Sequence, residues 1–361
     1  MSETWYAVVL AGGKGERFWP LSTGKRPKQL LDLVGERPML AQAVERLEGL
    51  IPPERVFIVT NRDLVEATRL AVPEVPAEQV IGEPVGRDTA AAVALGTALV
   101  KARDPEASFC ILTADHVIGE LDRFRVTLRE CLRLAEKEEV LITIGIRPTE
   151  PSTGYGYIDM GDPVRAADGI EFFKARRFVE KPDAGTAQRY LEAGHYVWNS
   201  GMFIWSVRSI ETAFRRHRPG LAELIDALAA VAFTPAFGEE LDQQFAGLEK
   251  ISVDYAIMEK SDNILVAKSV FTWDDVGAWP ALSNHFAADA SENTLIGSCE
   301  ALDSGRNIVY SKGHLTALVG VDDLIVVQAP GVTLICPREK AQDIKILVAD
   351  LRSKGGYEEV L

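Results

Sequence analysis

Cysteine is scarce: the 361-residue chain has four, Cys110, Cys131, Cys299 and Cys336, and none forms a CxxC pair. That spacing speaks against a disulfide framework and a structural zinc site, and it fits a reducing compartment. Five scattered histidines give no zinc constellation either. No apolar run reaches the ~18 residues that a membrane-crossing helix needs. Residues 1–13 have neither the basic start nor the long apolar core of a secretory signal. The expectation is a cytoplasmic protein without a membrane partner. Positive charge is in deficit, with 39 Lys and Arg against 53 Asp and Glu and a formal net charge of −14. Such a surface repels nucleic-acid backbones and anionic lipid, so no nucleic-acid partner is expected. A small phosphorylated ligand at a locally basic site stays compatible with it. No G-x-S-x-G elbow is present and no activated cysteine is evident, so covalent catalysis is not suggested.

What is present is ordinary for a globular chain: 47% hydrophobic and 25% charged residues. At roughly 150 residues per domain, the length predicts two domains, or one large and one small. Short apolar, β-branched runs at 6–10, 56–60, 109–113 and 140–145 alternate with helix-like stretches at 39–47, 63–70, 88–102 and 124–136. Strands apolar throughout and interleaved with helices predict a doubly wound α/β core with a mostly parallel sheet. From about residue 151 the texture turns to glycine and aromatics, predicting mixed or antiparallel strands at 172–178 and 198–205. Helical stretches follow near 208–230 and 239–247. After about residue 290, brief runs punctuated by Gly and Asp predict a small all-β unit. Residues 337–354 read as one closing amphipathic helix, with Pro337 at its first position and Gly355–Gly356 at its stop. The predicted domains are 1–288, an α/β domain carrying the chemistry, and 289–361, a small β domain with the closing helix.

The densest signal follows the first strand. Gly12, Gly13 and Gly15 allow backbone N–H groups to approach an anion, and Lys14, Arg17, Lys25, Arg26 and Lys28 reverse the sign of the chain locally. This suits a nucleoside triphosphate, although the loop matches neither G-x-x-x-x-G-K-[ST] nor G-x-G-x-x-G. A tight turn with surface charges is the plainer alternative. Asp115 ends an apolar strand, where ligands of open α/β sheets bind. A hard carboxylate there suits Mg²⁺ held jointly with substrate phosphates, or else a helix cap. Lys181 in Glu180-Lys181-Pro182 is a point charge able to grip a second phosphate, or half of a strand-end ion pair. Asn199 and Ser200 offer an amide and a hydroxyl suited to sugar hydroxyls, or a plain β-turn. Asp274 and Asp275 are two late carboxylates, either of which would complete a metal site with Asp115, unless they are caps.

Taken together, GGKGERFWPLS (12–22), Pro27-Lys28-Gln29, Gly82-Glu83-Pro84, Gly86-Arg87-Asp88-Thr89-Ala90, TADH (113–116), TGYGYI (153–158), FVEKP (178–182), WNSGMF (198–203), SVDYAIME (252–259) and WDDVGAW (273–279) resemble the mannose-1-phosphate guanylyltransferases. The resemblance covers about residues 5–280, and the tail is compatible with that family's small C-terminal β domain. It implies a Rossmann-like nucleotidyltransferase that joins GTP and mannose 1-phosphate into GDP-mannose and pyrophosphate, with Mg²⁺ as cofactor. The C-terminal β unit offers a surface for a possible homodimer. The resemblance also implies roles. Leu10, Ala11, Gly12, Gly13 and Gly15 would cradle the nucleotide, with Arg17 and Lys28 neutralising its phosphates. Glu83, Gly86, Arg87, Asp88 and Thr89 would line the base. Asp115 and Asp275 would hold the metal. Gly156, Glu180, Asn199 and Ser200 would contact the sugar, and Lys181 its phosphate. The chain departs from the family in having Asp88 where Asn is common, and Thr113 where Pro is frequent. Three alternatives remain: another sugar 1-phosphate (glucose 1-phosphate) or base (thymidine, adenine), a nicotinamide-dependent oxidoreductase, which the glycine pattern disfavours, or a non-catalytic nucleotide-sugar binder. The non-catalytic binder predicts missing carboxylates or cations, whereas Arg17, Lys28, Asp115, Lys181 and Asp275 are all present.

Overall fold

The structure, a computed structural model, describes residues 4–361. The chain runs β1 (Trp5–Leu10), α1 (Met39–Glu45), β2 (Val56–Asn61), α2 (Val65–Ala71), β3 (Val80–Glu83), α3 (Thr89–Arg103), β4 (Ser108–Thr113), β5 (Val117–Ile118), α4 (Leu121–Ala135) and β6 (Leu141–Ile146). It continues through β7 (Tyr157–Ala167), β8 (Ile170–Val179), α5 (Ala184–Ala193), β9 (Tyr196–Ser206), α6 (Val207–His217), α7 (Pro219–Val231), α8 (Phe237–Ala246), β10 (Ile264–Lys268) and β11 (Trp273–Asp274). Last come β12 (Thr294–Leu302), β13 (Ile308–Val319), β14 (Leu324–Ala329), β15 (Val332–Pro337) and α9 (Ile344–Lys354).

These elements fall into two compact units that the chain visits more than once. The first comprises residues up to Gly12, Ala43–Ala114 and Ile118–Trp273; the second comprises Gly13–Gln42, Asp115–Val117 and Asp274–Leu361. The first unit is built on a nine-stranded sheet in the order β3-β2-β1-β4-β9-β6-β10-β8-β7. Strands β1 to β4 pair in parallel, as their mostly apolar and buried sequences require once helices cover both faces. Strand β9 enters antiparallel between β4 and β6, and β7 and β8 form an antiparallel ribbon at the far edge. The predicted parallel core and the later change of texture are therefore both present. Strand β3, a short apolar run, carried too weak a pattern to be predicted. The helical stretch expected near 208–230 is two helices, because Pro219 lacks the N–H that would continue α6 and instead opens α7.

In the second unit, β12 to β15 form a four-stranded sheet whose first three strands are parallel and stack as successive rungs: Ile296 pairs with Tyr310, and Tyr310 with Val327. Here the structure corrects the predicted closing helix. Pro337 ends β15, a 3-10 turn spans Arg338–Asp343, and α9 begins only at Ile344; Gly355, at φ 67°, stops it as expected. Phe18, Trp19, Trp279, Tyr310 and Ile344 share the unit's core, with the Phe18 and Trp279 rings 5.1 Å apart. Among the described residues no helix is long and apolar enough to cross a membrane.

Candidate functional site

From Gly13 onward the glycine-rich segment belongs to the second unit, and its geometry explains its sequence. Gly15 has φ 60°, and a Cβ there would stand 2.3 Å from Lys28 Cβ and 2.9 Å from Lys28 N. Only glycine permits that approach. A 3-10 turn, Glu16–Phe18, follows and buries Phe18, so that Arg17 is directed to the carbonyl of Gly277, to which its Nη1 donates at 3.4 Å. These groups open onto a cavity of about 300 Å³ lined also by Lys14, Lys28, Asp115, His116, Asp275 and Lys345. Four cations therefore line one hollow of a chain with net charge −14. Of the five basic residues read from the sequence, Lys14, Arg17 and Lys28 reach the cavity. Lys25 and Arg26 are not among its lining residues, and Arg26 pairs with Asp32 at 3.3 Å.

Lys28 is the most constrained of these cations, its side chain only 5% exposed. Its Nζ donates to the Asp115 carbonyl (2.8 Å), to Asp115 Oδ2 (3.0 Å) and to the Asp275 carbonyl (2.5 Å). An ammonium has three donors, and all three are used. Lys28 thus ties together the two segments that present the carboxylates, and it supplies charge rather than a spare hydrogen bond. Burial pushes the Asp115 carboxyl up, but the Lys28 ammonium and His116 outweigh it and hold the group below the usual carboxylate range. The structure also separates Asp274 from Asp275. Asp274 accepts from Val276 N (2.7 Å), Asn284 Nδ2 (3.0 Å) and meets His285 Nε2 (3.0 Å), whereas Asp275 lines the cavity.

Asp115 and Asp275 are hard oxygen donors, and no group of three or more His, Cys, Asp or Glu suited to a metal exists among the described residues. A two-carboxylate donor set fits a magnesium ion, which keeps several waters and takes its remaining ligands from substrate phosphates. It does not fit a self-sufficient structural metal. Lys345, from α9, was invisible to motif reading because nothing in its local sequence marks it; only the fold places it beside Arg17.

The first unit holds two further clusters. At the end of β1, Ala11 N donates to Val59 O (2.7 Å), while the Ala11 and Gly12 carbonyls accept from Thr60 Oγ1 (3.1 Å) and Asn61 Nδ2 (3.3 Å). A Cβ on Gly12 would lie 3.4 Å from Glu83 Oε2. Glu83 is buried, and its Oε1 has no hydrogen-bond partner among the described residues. Burial, reinforced by Asp88, pushes its carboxyl up to about 7. Asp88 sits at φ 68° and ψ −178°, a region nearly reserved for glycine, with its carboxylate on Thr89 N at 2.8 Å. Arg87 spends its guanidinium on the Phe245 and Ala246 carbonyls at the end of α8, and its own carbonyl accepts from Ile251 N at 3.4 Å.

Because folded Glu83 holds its proton more tightly than the unfolded chain, stability falls as pH rises from about 4.5 to about 7. The cost at pH 8 is at most ~3 kcal/mol. Urea denaturation of Glu83→Gln from pH 4 to pH 8 is expected to lose that downward slope, and an unchanged slope would show Glu83 to be an ordinary carboxylate.

The second cluster gathers Gly156, Glu180, Lys181 and Asn199, with Ser200 next to Asn199 in β9. A Cβ on Gly156 would stand 2.5 Å from Glu180 Oε2, so glycine is required for the carboxylate to lie against the backbone. Glu180 pairs with Lys181 at 2.9 Å, with the lysine side chain 63% exposed. Asn199 N donates to Gly156 O (2.8 Å), and Asn199 Nδ2 donates to Asp254 (2.7 Å). Ser200 is buried and its hydroxyl accepts from Met202 N at 3.2 Å.

The chain is similar to known proteins along almost its whole length. The nucleotidyl transferase family model matches residues 6–292, and a mannose-phosphate isomerase/GMP-like β-helix domain matches 298–351. A mannose-1-phosphate guanylyltransferase of Escherichia coli K12 is 36% identical over 357 residues, 98% of this chain and 74% of the relative. The alginate biosynthesis protein AlgA of Pseudomonas aeruginosa is 33% identical, over 97% of this chain and 73% of its own. A crystal structure described as a mannose-1-phosphate geranyltransferase from Thermus thermophilus superposes with a TM-score of 0.85 at 38% identity, covering 96% of this chain and 99% of that one.

Proposed function

The chain belongs to the mannose-1-phosphate guanylyltransferase family of nucleotidyl transferases, and from that premise we propose how its residues divide the work of joining GTP to mannose 1-phosphate. The observation that carries the reading is the cavity in which Arg17, Lys28, Asp115 and Asp275 meet in a strongly acidic chain. A sugar-phosphate oxygen, already anionic, attacks the α-phosphorus of GTP and pyrophosphate leaves. No general base is needed, so positioning and charge neutralisation supply most of the rate.

In this reading Lys14, Arg17 and Lys345 take the triphosphate oxygens while Lys28 adds its fixed charge. Asp115 and Asp275 hold the magnesium ion, which when bound neutralises phosphate charge and helps to align the reacting groups. Glu83 accepts from the donor edge of guanine, N1–H and N2–H, which would give its buried Oε1 the partner it lacks. The 86–89 backbone lines the rest of the base. Glu180, Asn199 and Ser200 face the sugar, and Lys181, the exposed cation of its cluster, takes the sugar phosphate. The domain division at 288/289 is part of the same reading, supported by family matches that end at 292 and resume at 298. A second copy of the chain is the expected partner; the exposed Leu302, Leu315, Val319 and Ile335 of the four-stranded sheet support it.

A pyrophosphate-release assay across sugar 1-phosphates and nucleoside triphosphates tests the substrates. GTP with mannose 1-phosphate is expected to give the highest kcat/KM, and a higher value for glucose 1-phosphate or another base would overturn the assignment. Lys181→Ala is expected to raise KM for mannose 1-phosphate about tenfold, the loss of one charge-assisted contact, with KM for GTP unchanged. Equal rises in both constants would remove Lys181 from the sugar-phosphate site.

A further inference from the structure

Asp254 stands in the sugar cluster but in none of the roles assigned so far. It opens a single π-helical turn, Asp254–Met258, a geometry that recurs at functional sites. The turn is fastened to the start of α3: Val253 N donates to Thr89 Oγ1 (2.9 Å) and Ala90 N donates to Ile251 O (3.1 Å). From that anchored position Asp254 Oδ1 accepts from Asn199 Nδ2 at 2.7 Å.

The rest of the Asn199 amide is equally determined. Its Oδ1 accepts from Gly201 N (3.2 Å) and from Thr143 Oγ1 (3.1 Å). A backbone N–H can only donate, so the oxygen must face Gly201 and the nitrogen must face Asp254. With Oδ1 filled and one Nδ2 hydrogen on Asp254, the amide has one hydrogen left.

We propose that Asp254 is a positioning residue for sugar recognition, holding Asn199 so that its remaining N–H donates to one hydroxyl oxygen of the sugar phosphate. This rests on the assignment of the Gly156, Glu180 and Asn199 cluster to the sugar. It turns a side chain that could accept or donate into a donor only, which favours a hydroxyl with its lone pair turned inward. It also gives the acidic residue of the SVDYAIME segment a physical role.

The test uses the full-length protein and steady-state kinetics with the preferred sugar 1-phosphate. Asp254→Ala is expected to raise KM for the sugar phosphate about tenfold, the weight of one oriented hydrogen bond, while kcat and KM for GTP change less than about twofold. Asp254→Asn, whose carbonyl can still accept from Asn199, is expected to restore most of the affinity. The exchanged pair, Asn199→Asp with Asp254→Asn, rebuilds a hydrogen bond between the two positions but leaves residue 199 without a hydrogen to give. It is expected to keep the wild-type Tm and the raised KM, and it decides the matter even if Asp254→Ala fails to fold. Recovery of KM in the exchanged pair, or equal losses in kcat and in both KM values for Asp254→Ala, would overturn the proposal. A wild-type enzyme that ignores mannose 1-phosphate but uses another sugar phosphate would sink the substrate assignment instead, and the same variants would then be read with that sugar.

Discussion

Asp115→Ala is expected to lower kcat by about a thousandfold or more, the scale on which removal of one main electrostatic stabiliser of a transition state acts. Asp115 is one of only two carboxylates on the phosphate cavity proposed to hold the metal. The alanine variant has a second consequence, because Lys28 Nζ loses its carboxylate and keeps only the carbonyls of residues 115 and 275. Asp115→Asn separates the two effects. Its amide oxygen can still accept from Lys28, so its Tm is expected to lie nearer to wild type, whereas its kcat is expected to fall nearly as far as that of the alanine variant. Pyrophosphate release with GTP, mannose 1-phosphate and added Mg²⁺ reads the first quantity, and thermal denaturation the second. Near-normal turnover of either variant would remove Asp115 from the metal site.

The residues that line the cavity, and that are proposed to carry the chemistry, stand out in the sequence because their pattern is local. Three glycines and a knot of cations after β1, and a carboxylate just beyond the end of β4, carry their meaning within a few positions of sequence. The fold class was legible for a similar reason: β1, β2 and β4 are apolar and buried through most of their length, which only a sheet covered on both faces tolerates. What sequence could not supply is long-range closure. Lys28 meets Asp115 across 87 positions and Asp275 across 247, so a cation that looked available for phosphate has its donors committed. Lys345 and Asp254 belong to the same class, since each becomes informative only when a distant segment is beside it. That Asp275 rather than Asp274 lines the cavity goes with the bonds of Asp274 to Val276, Asn284 and His285, partners that no spacing rule singles out. Burial also decides Glu83, because a carboxyl at a strand end reads as ordinary until its surroundings exclude water.

Lys28→Met is the stricter test of how the cavity is organised, because methionine keeps an unbranched apolar stem of similar length and lacks the ammonium. Three acceptors then lose their donor at once: the Asp115 carboxylate and the carbonyls of Asp115 and Asp275. Breaking a well-buried ion pair from one side costs about 3–5 kcal/mol. The Asp115 side chain is 37% exposed, so water screens part of that loss and ~2 kcal/mol is the better expectation. The Asp115 carboxyl, held low largely by Lys28, should then be protonated at a higher pH. Activity is expected to fall by more than about a hundredfold, since the two carboxylate-bearing segments are no longer fixed to each other and the site has lost a positive charge. If Lys28 stabilises the fold chiefly through Asp115, the two positions must be coupled. Urea denaturation should therefore show Lys28→Met costing at least ~1 kcal/mol less in an Asp115→Asn background than in the wild type. Full additivity of the two losses would mean that Lys28 acts on the carbonyls alone, and that the phosphate cavity keeps its shape without the ion pair.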